Sequence, residues 1–317
     1  MGKNRELGMK APLLPFSSAY RRFLILFFFA FCVTLLATPA FAESELVPAS
    51  LIMVSVEGQN ALVVDKNLQK LLVYKFEEGT FLQKVVFTVT TGQKGGDKQI
   101  EGDLRTPEGI YFPLRFIDEE DLLPEYGVGA YTLDYPNLFD RQDGKTGSGI
   151  WIHAADEPLR FLSKNMTRGC VVTSNRTFEA LTPYISLRET AVIIENNVAM
   201  VEPSDLNAER DRLLTFIERW RSSWEEGRLD SYLDCYHKRF KRQRGRHWRD
   251  KKTYLLSKPE RPVIRTWPPS IYRIGDRVVA RFYQYYRSDV LDDVGFKTLY
   301  LLRDNDGWRI VGERWSS

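Results

Sequence analysis

The chain has 317 residues, enough for two domains of ordinary size, and its 43% hydrophobic content can fill sizeable cores. Its 45 Lys and Arg against 42 Asp and Glu leave a net charge of +3, too small to argue for nucleic acid as a partner. His237 and His247 have few carboxylate or thiol neighbours at ligand spacing, so they are not expected to make a metal site.

The N-terminus reads as an export signal. Lys3, Arg5, Lys10, Arg21 and Arg22 precede the uncharged run Phe23–Leu36, and Ala40-Phe41-Ala42 fits a small-x-small cleavage site. The run is shorter than the roughly 20 residues a membrane span needs. A signal peptide over 1–42 is expected, with membrane contact only through this leader if it stays uncleaved. Residues 43–50 read as a polar tether. Removing the leader leaves Cys170 and Cys235, which fall in different expected domains and are read as two free thiols.

From Leu51 to Val201 the texture is strand-like. Ala61–Asp65, Lys70–Phe76, Phe81–Thr91, Gly109–Phe116, Ala130–Tyr135, Gly149–Ala154, Val171–Thr173 and Ala191–Glu195 are short runs rich in Val, Ile, Phe and Tyr. Lys66-Asn67 and Glu78-Gly79 are turn signals. Only Pro158–Lys164 and Phe178–Ile185 look helical. The spacing predicts a mostly β domain over 51–201, a sandwich or open barrel.

The densest chemistry lies in Thr146–Asn175. Ile150-Trp151-Ile152 leads into His153, and Val171-Val172 follows Cys170, so each reactive side chain sits at the end or edge of a short buried strand. A thiol ionises with a free pKa of about 8.5. A nearby imidazole can take its proton and return it to a leaving group. Gly169 lets the backbone approach a substrate, and the Gly169 and Cys170 N–H groups can aim at a developing oxyanion. Against this stands a simpler reading, in which a lone cysteine is a small buried hydrophobe. Asp140 can orient His153 or cap a turn.

Past Glu202-Pro203-Ser204 the pattern changes. Ser204 or Asp205 can cap a helix that places Leu206, Leu213, Ile217, Trp220 and Trp224 on one face. A short helix over Leu229–His237 follows. Ser270–Ile274, Arg277–Tyr286, Gly295–Leu302 and Trp308–Trp315 read as strands, with a hairpin signal at Asp304-Asn305-Asp306-Gly307. Between them, Lys238–Lys252 holds nine Lys or Arg and one acid, Asp250. It is either a solvated helix face or loop, or a contact for anionic envelope polymers or lipid surfaces. Trp248 would suit a glycan platform.

Three blocks together resemble the YkuD-type L,D-transpeptidases. They are Gly96–Tyr111 with Gly102, Asp103, Thr106, Pro107 and Gly109; Tyr135-Pro136-Asn137, Asp140 and Gly147–Ile150; and His153 with Thr167-Arg168-Gly169-Cys170 and Asn175. The resemblance covers about 51–197. It implies a cysteine acyl-transfer enzyme of the periplasm or cell envelope, acting on peptidoglycan stem peptides without a metal or organic cofactor. Cys170 is the implied nucleophile and His153 the proton donor and acceptor. The activity the resemblance implies is transpeptidation, transfer of the stem to an amine acceptor that gives a crosslink; the alternative is L,D-carboxypeptidation, transfer to water that gives a trimmed tripeptide. Gly102, Asp103 and Thr106 would shape the floor of the cleft. The family usually carries His two residues before the Cys, where this chain has Arg168, a cation expected to favour the thiolate. It usually has Gly where this chain has Ala154. Residues 204–317 resemble the NTF2-like cone, a smaller α+β domain. The layout is similar to the cell-shape L,D-carboxypeptidases of helical bacteria. A non-catalytic wall-binding protein is the alternative from a different class.

Overall fold

Short apolar runs build two cores that share one sheet. The computed structural model describes residues 45–155 and 164–316. The expected leader, and all but the last residue of the expected helix over Pro158–Lys164, lie outside them.

The chain enters through β1 (Val47–Pro48) and β2 (Leu51–Met53), then runs through β3 (Asn60–Asp65), β4 (Lys70–Glu77), β5 (Thr80–Thr88), β6 (Gly109–Tyr111), β7 (Pro113–Asp118) and β8 (Gly129–Leu133). Next come α1 (Leu138–Gln142), β9 (Trp151–Ala155), β10 (Val171–Ser174), α2 (Asn175–Leu181), β11 (Ala191–Glu195) and β12 (Met200–Val201). Glu78 and Gly79, at φ 53° and 80°, form the two-residue turn that joins β4 to β5.

Two sheets result. One has the order β5-β4-β3-β11-β6, the other β10-β9-β8-β7. Leu62, Val64, Leu71, Val73, Val192 and Ile194 of the first pack against Tyr131, Ile152, Ala154 and Val171 of the second. This is the expected sandwich. The run expected as one strand over Gly109–Phe116 is split, because the chain changes sheets at Phe112. Pro113 has no N–H to continue a ladder, and the Phe112 N–H donates instead to Asp134 Oδ1 at 2.8 Å.

The β3–β11 pair is buried on both faces. Ala61, Val63, Ala191 and Ile193 point away from the sandwich core and join a second core made mostly by the C-terminal residues. That part has α3 (Asn207–Glu225), α4 (Leu229–Asp234), α5 (Lys238–Ser257), β13 (Val263–Thr266), β14 (Ser270–Ile274), β15 (Arg277–Arg287), β16 (Asp292–Asp304) and β17 (Gly307–Ser316). The antiparallel order is β17-β16-β15-β14-β2. Leu213, Ile217 and Trp220 of α3 are buried among Val278, Phe282, Leu299 and Ile310. The indole of Trp220 donates to Tyr236 Oη at 3.0 Å. The expected hairpin forms, with Asp304 opposite Gly307.

Three expectations change. Residues 47–50 are not a tether: Val47 is buried, β1 pairs β12, and β2 adds a strand to the C-terminal sheet. Burial of Leu51 and Ile52 outweighs the polar look of the stretch before them. Neither Ser204 nor Asp205 caps α3. A 3-10 turn, Pro203–Leu206, leads into the helix, whose first residue follows Leu206 without a side-chain cap. Trp248 is no open glycan platform, since its ring packs on Tyr236 at 5.0 Å and on Phe240 at 5.2 Å. Among the described residues no helix is long and apolar enough to cross a membrane, and no cluster of His, Cys, Asp and Glu could hold a metal ion.

Candidate active site

β9 and β10 run parallel, with Val172 opposite His153 and Val171 opposite Ile152. One step further back, Cys170 lies beside Trp151. Side chains alternate along a strand, so Cys170, Val172, Trp151 and His153 share a face, the one turned away from the sandwich core. Strand geometry puts the Cα atoms of Cys170 and His153 about 8 Å apart, within bridging reach of a thiol and an imidazole.

His153 is only 6% exposed. Its Nδ1 lies 2.6 Å from Ala154 O. A carbonyl can only accept, so Nδ1 carries a proton. The ring of Tyr126 covers it edge-on, with centroids 4.9 Å apart, and also meets Trp151 at 5.2 Å. Asn175 secures this cover: its Oδ1 accepts from the Val128 N–H at 3.3 Å. Gly127 is wedged between, at φ 61°, where a β-carbon would sit 2.2 Å from Asn175 Oδ1 and 2.8 Å from Ala154 Cβ.

The turn before Cys170 is braced by Thr167. Its hydroxyl donates to Cys170 O at 2.7 Å and accepts from the Gly169 N–H at 3.0 Å. That occupies one of the two N–H groups expected to face an oxyanion, so Cys170 N–H is the candidate that stands. Gly169 has φ 135°, and a β-carbon there would lie 2.9 Å from Arg105 O.

Cys170 keeps part of its surface exposed, and its thiol donates to Gly149 O at 3.5 Å. Burial of the sulfur pushes the thiol up to about 11; the Trp151 N–H and the charge of Lys98 pull the other way. The expectation that a cation at 168 would favour the thiolate is therefore corrected. Arg168 is exposed, the cation acting on the sulfur is Lys98, and desolvation outweighs it.

The segment Gly92–Gly109 is an ionic scaffold beneath this turn. Asp103 accepts from Lys98 Nζ at 2.8 Å and from the N–H groups of Gln99, Ile100 and Arg105. These bonds outweigh its desolvation and hold its carboxyl well below the usual carboxylate range. Thr106 is fully buried and accepts from the Gly92 N–H at 2.9 Å. Gly102 forms a turn at φ 76°. Asp140 takes the capping role: it closes a capping box with Asn137 and pairs with Lys145 at 3.0 Å. Ala154 O is the group that orients the imidazole. Cys235 is a buried free thiol within the C-terminal core.

Sequence reasoning missed Lys98, Tyr126 and the Ala154 carbonyl. Lys98 sat inside a recognised block and carried the signal of a Lys–Asp pair five residues apart. Nothing local ties Tyr126 to His153.

A cysteine just before one strand and an imidazole on the neighbouring strand, with a braced turn before the sulfur, sit on a β-sandwich joined to a helix-filled cone. The chain belongs to the YkuD family: the L,D-transpeptidase catalytic domain matches residues 59–194, and the Cds6 C-terminal NTF2-like domain matches residues 212–314. Bd1075 of Bdellovibrio bacteriovorus is 33% identical, with a TM-score of 0.76 over 86% of this chain and 98% of that one. The helical cell shape determining protein Pgp2 from Campylobacter jejuni is 27% identical, with a TM-score of 0.67 over 84% of this chain and 96% of that one. No curated protein sequence matches the chain.

Proposed function

We propose that this chain is an L,D-carboxypeptidase of the cell envelope that trims peptidoglycan tetrapeptide stems to tripeptides through a thioester on Cys170. The observation that carries the reading is His153, with Nδ1 fixed on Ala154 O, on the same strand face as Cys170. Its Nε2 takes the thiol proton as sulfur attacks the carbonyl on the L side of the terminal L,D bond. With the thiol resting near 11, proton transfer accompanies attack rather than preceding it. The Cys170 N–H stabilises the oxyanion, a contribution of roughly 3–4 kcal/mol. His153 then protonates departing D-alanine. Water, deprotonated by the same imidazole, attacks the thioester, and the thiolate leaves and regains a proton. The Trp151 N–H and Lys98 favour that leaving charge.

Access supports water as the acceptor. His153 is nearly buried beneath Tyr126, and water reaches a covered imidazole more readily than an amine carried on a second stem. The shared layout with a protein described as determining helical cell shape supports a role in wall editing. Export through the leader at 1–42 would deliver the enzyme to that substrate. Incubating the protein with purified muropeptides and weighing the products tests the reading. Tripeptides and free D-alanine are expected. Crosslinked dimers as the main product would replace trimming by transpeptidation.

A further inference from the structure

Helix α5 carries a dense run of cations, few of which the protein pairs with an acid. Nine Lys or Arg and one acid fall within residues 238–252, a net +8, so the rest of the chain carries −5. Lys238, Lys241, Arg242, Arg246, Arg249 and Lys251 are exposed, and none forms an ion pair among the described residues. Arg244 lies over the Phe240 ring at 5.4 Å, and its charge, after those of Lys297 and Lys252, helps hold the buried Glu313 carboxyl below its ordinary value. Several of these cations sit three or four residues apart, a spacing at which like charges destabilise a helix. The exposed cations therefore do not help the helix to form.

The ridge is nonetheless firmly based. Phe240 and Leu256 are buried, Trp248 packs on Tyr236 and Phe240, and Arg239 donates to Gln142 O of the catalytic domain. Gly245, at φ 69° and ψ −173°, breaks the helix in its middle, and a cavity of about 730 Å³ opens there. The cations point to several sides rather than one, and residues 241–247 are all exposed.

We infer that this ridge is a docking surface for a carboxylate-rich polymer, the peptidoglycan wall itself; the inference rests on the proposed reading of the substrate. A membrane-lying helix needs an exposed apolar face opposite its charges. Here the aromatic residues of the segment are turned into the protein, and no large apolar side chain between 238 and 252 is exposed. A hydrated, flexible polyanion can surround a cationic ridge through charge alone, with a strength that falls as salt rises. The ridge thus holds the enzyme on the polymer that its sulfur trims.

The test is co-sedimentation of the full chain with purified sacculi across a salt series. Its comparison is the variant Lys241→Glu, Arg242→Glu, Arg246→Glu, Arg249→Glu, checked for folding by circular dichroism. Wild-type binding is expected to fall steeply between about 50 and 300 mM salt. The variant should bind at least about tenfold more weakly, yet trim small soluble muropeptides at the wild-type rate. Sacculi whose carboxyls are coupled to a neutral amine should lose the wild-type protein. Salt-insensitive binding, an unchanged variant, or stronger capture by phosphatidylglycerol vesicles than by sacculi overturns the inference. Failure to trim soluble muropeptides would instead strike the proposed activity and leave the binding result standing.

Discussion

Cys170→Ala is expected to lower kcat on tetrapeptide muropeptides by at least about a thousandfold, because it removes the thiol proposed to carry the acyl intermediate. Tm should stay within about 2 °C of wild type, since the side chain is small, partly exposed and outside both cores. His153→Gln should cost roughly 100- to 10,000-fold, the usual range for a general base. The combination matters: a substitution that leaves the fold intact and removes turnover separates chemistry from stability. A residual rate within tenfold of wild type in Cys170→Ala would leave the sulfur without a role.

Asp103→Ala is expected to be the most damaging change in the floor of the site. Asp103 answers Lys98, which is 3% exposed, and three backbone N–H groups at once. Its loss leaves a buried ammonium with no counter-charge and only the Ile100 carbonyl as acceptor, at a cost of about 3–5 kcal/mol, which for a unit of this size corresponds to a Tm drop of roughly 6–20 °C. Because the folded-state carboxyl is held below its ordinary value, the stabilisation is fully present above the unfolded-state pKa. It is lost as pH falls. The gap between wild type and variant in a urea titration should therefore be constant near neutrality and close only below about pH 4. A Tm change under 2 °C, or a gap that narrows toward alkaline pH, would contradict this reading of the loop.

What the sequence displays well is whatever repeats locally. Short runs rich in Val, Ile, Phe and Tyr located β3, β4, β9 and β11, and the apolar face of Leu213, Ile217 and Trp220 located α3. Cys170, Gly169 and Thr167 were legible because they act on one another within four residues. Partners brought in from elsewhere were not. Tyr126 reaches His153 only because Asn175 and Gly127 fold its turn back over β9. Lys98 reaches the sulfur only through the Asp103 scaffold. Arg168 looked like the relevant cation because sequence gives adjacency and not direction, and its side chain turns outward. The placement of Leu51–Met53 in the C-terminal sheet was hidden for the same reason, its partner Tyr272 being over 200 residues away.

The most direct measurement is acylation of the full chain by a carbapenem, followed by intact-mass analysis and peptide mapping. The account predicts one adduct, on Cys170, absent from Cys170→Ala and formed more slowly in His153→Gln. An adduct on Cys235 or another residue, or continued release of D-alanine from muropeptides by Cys170→Ala, would contradict it.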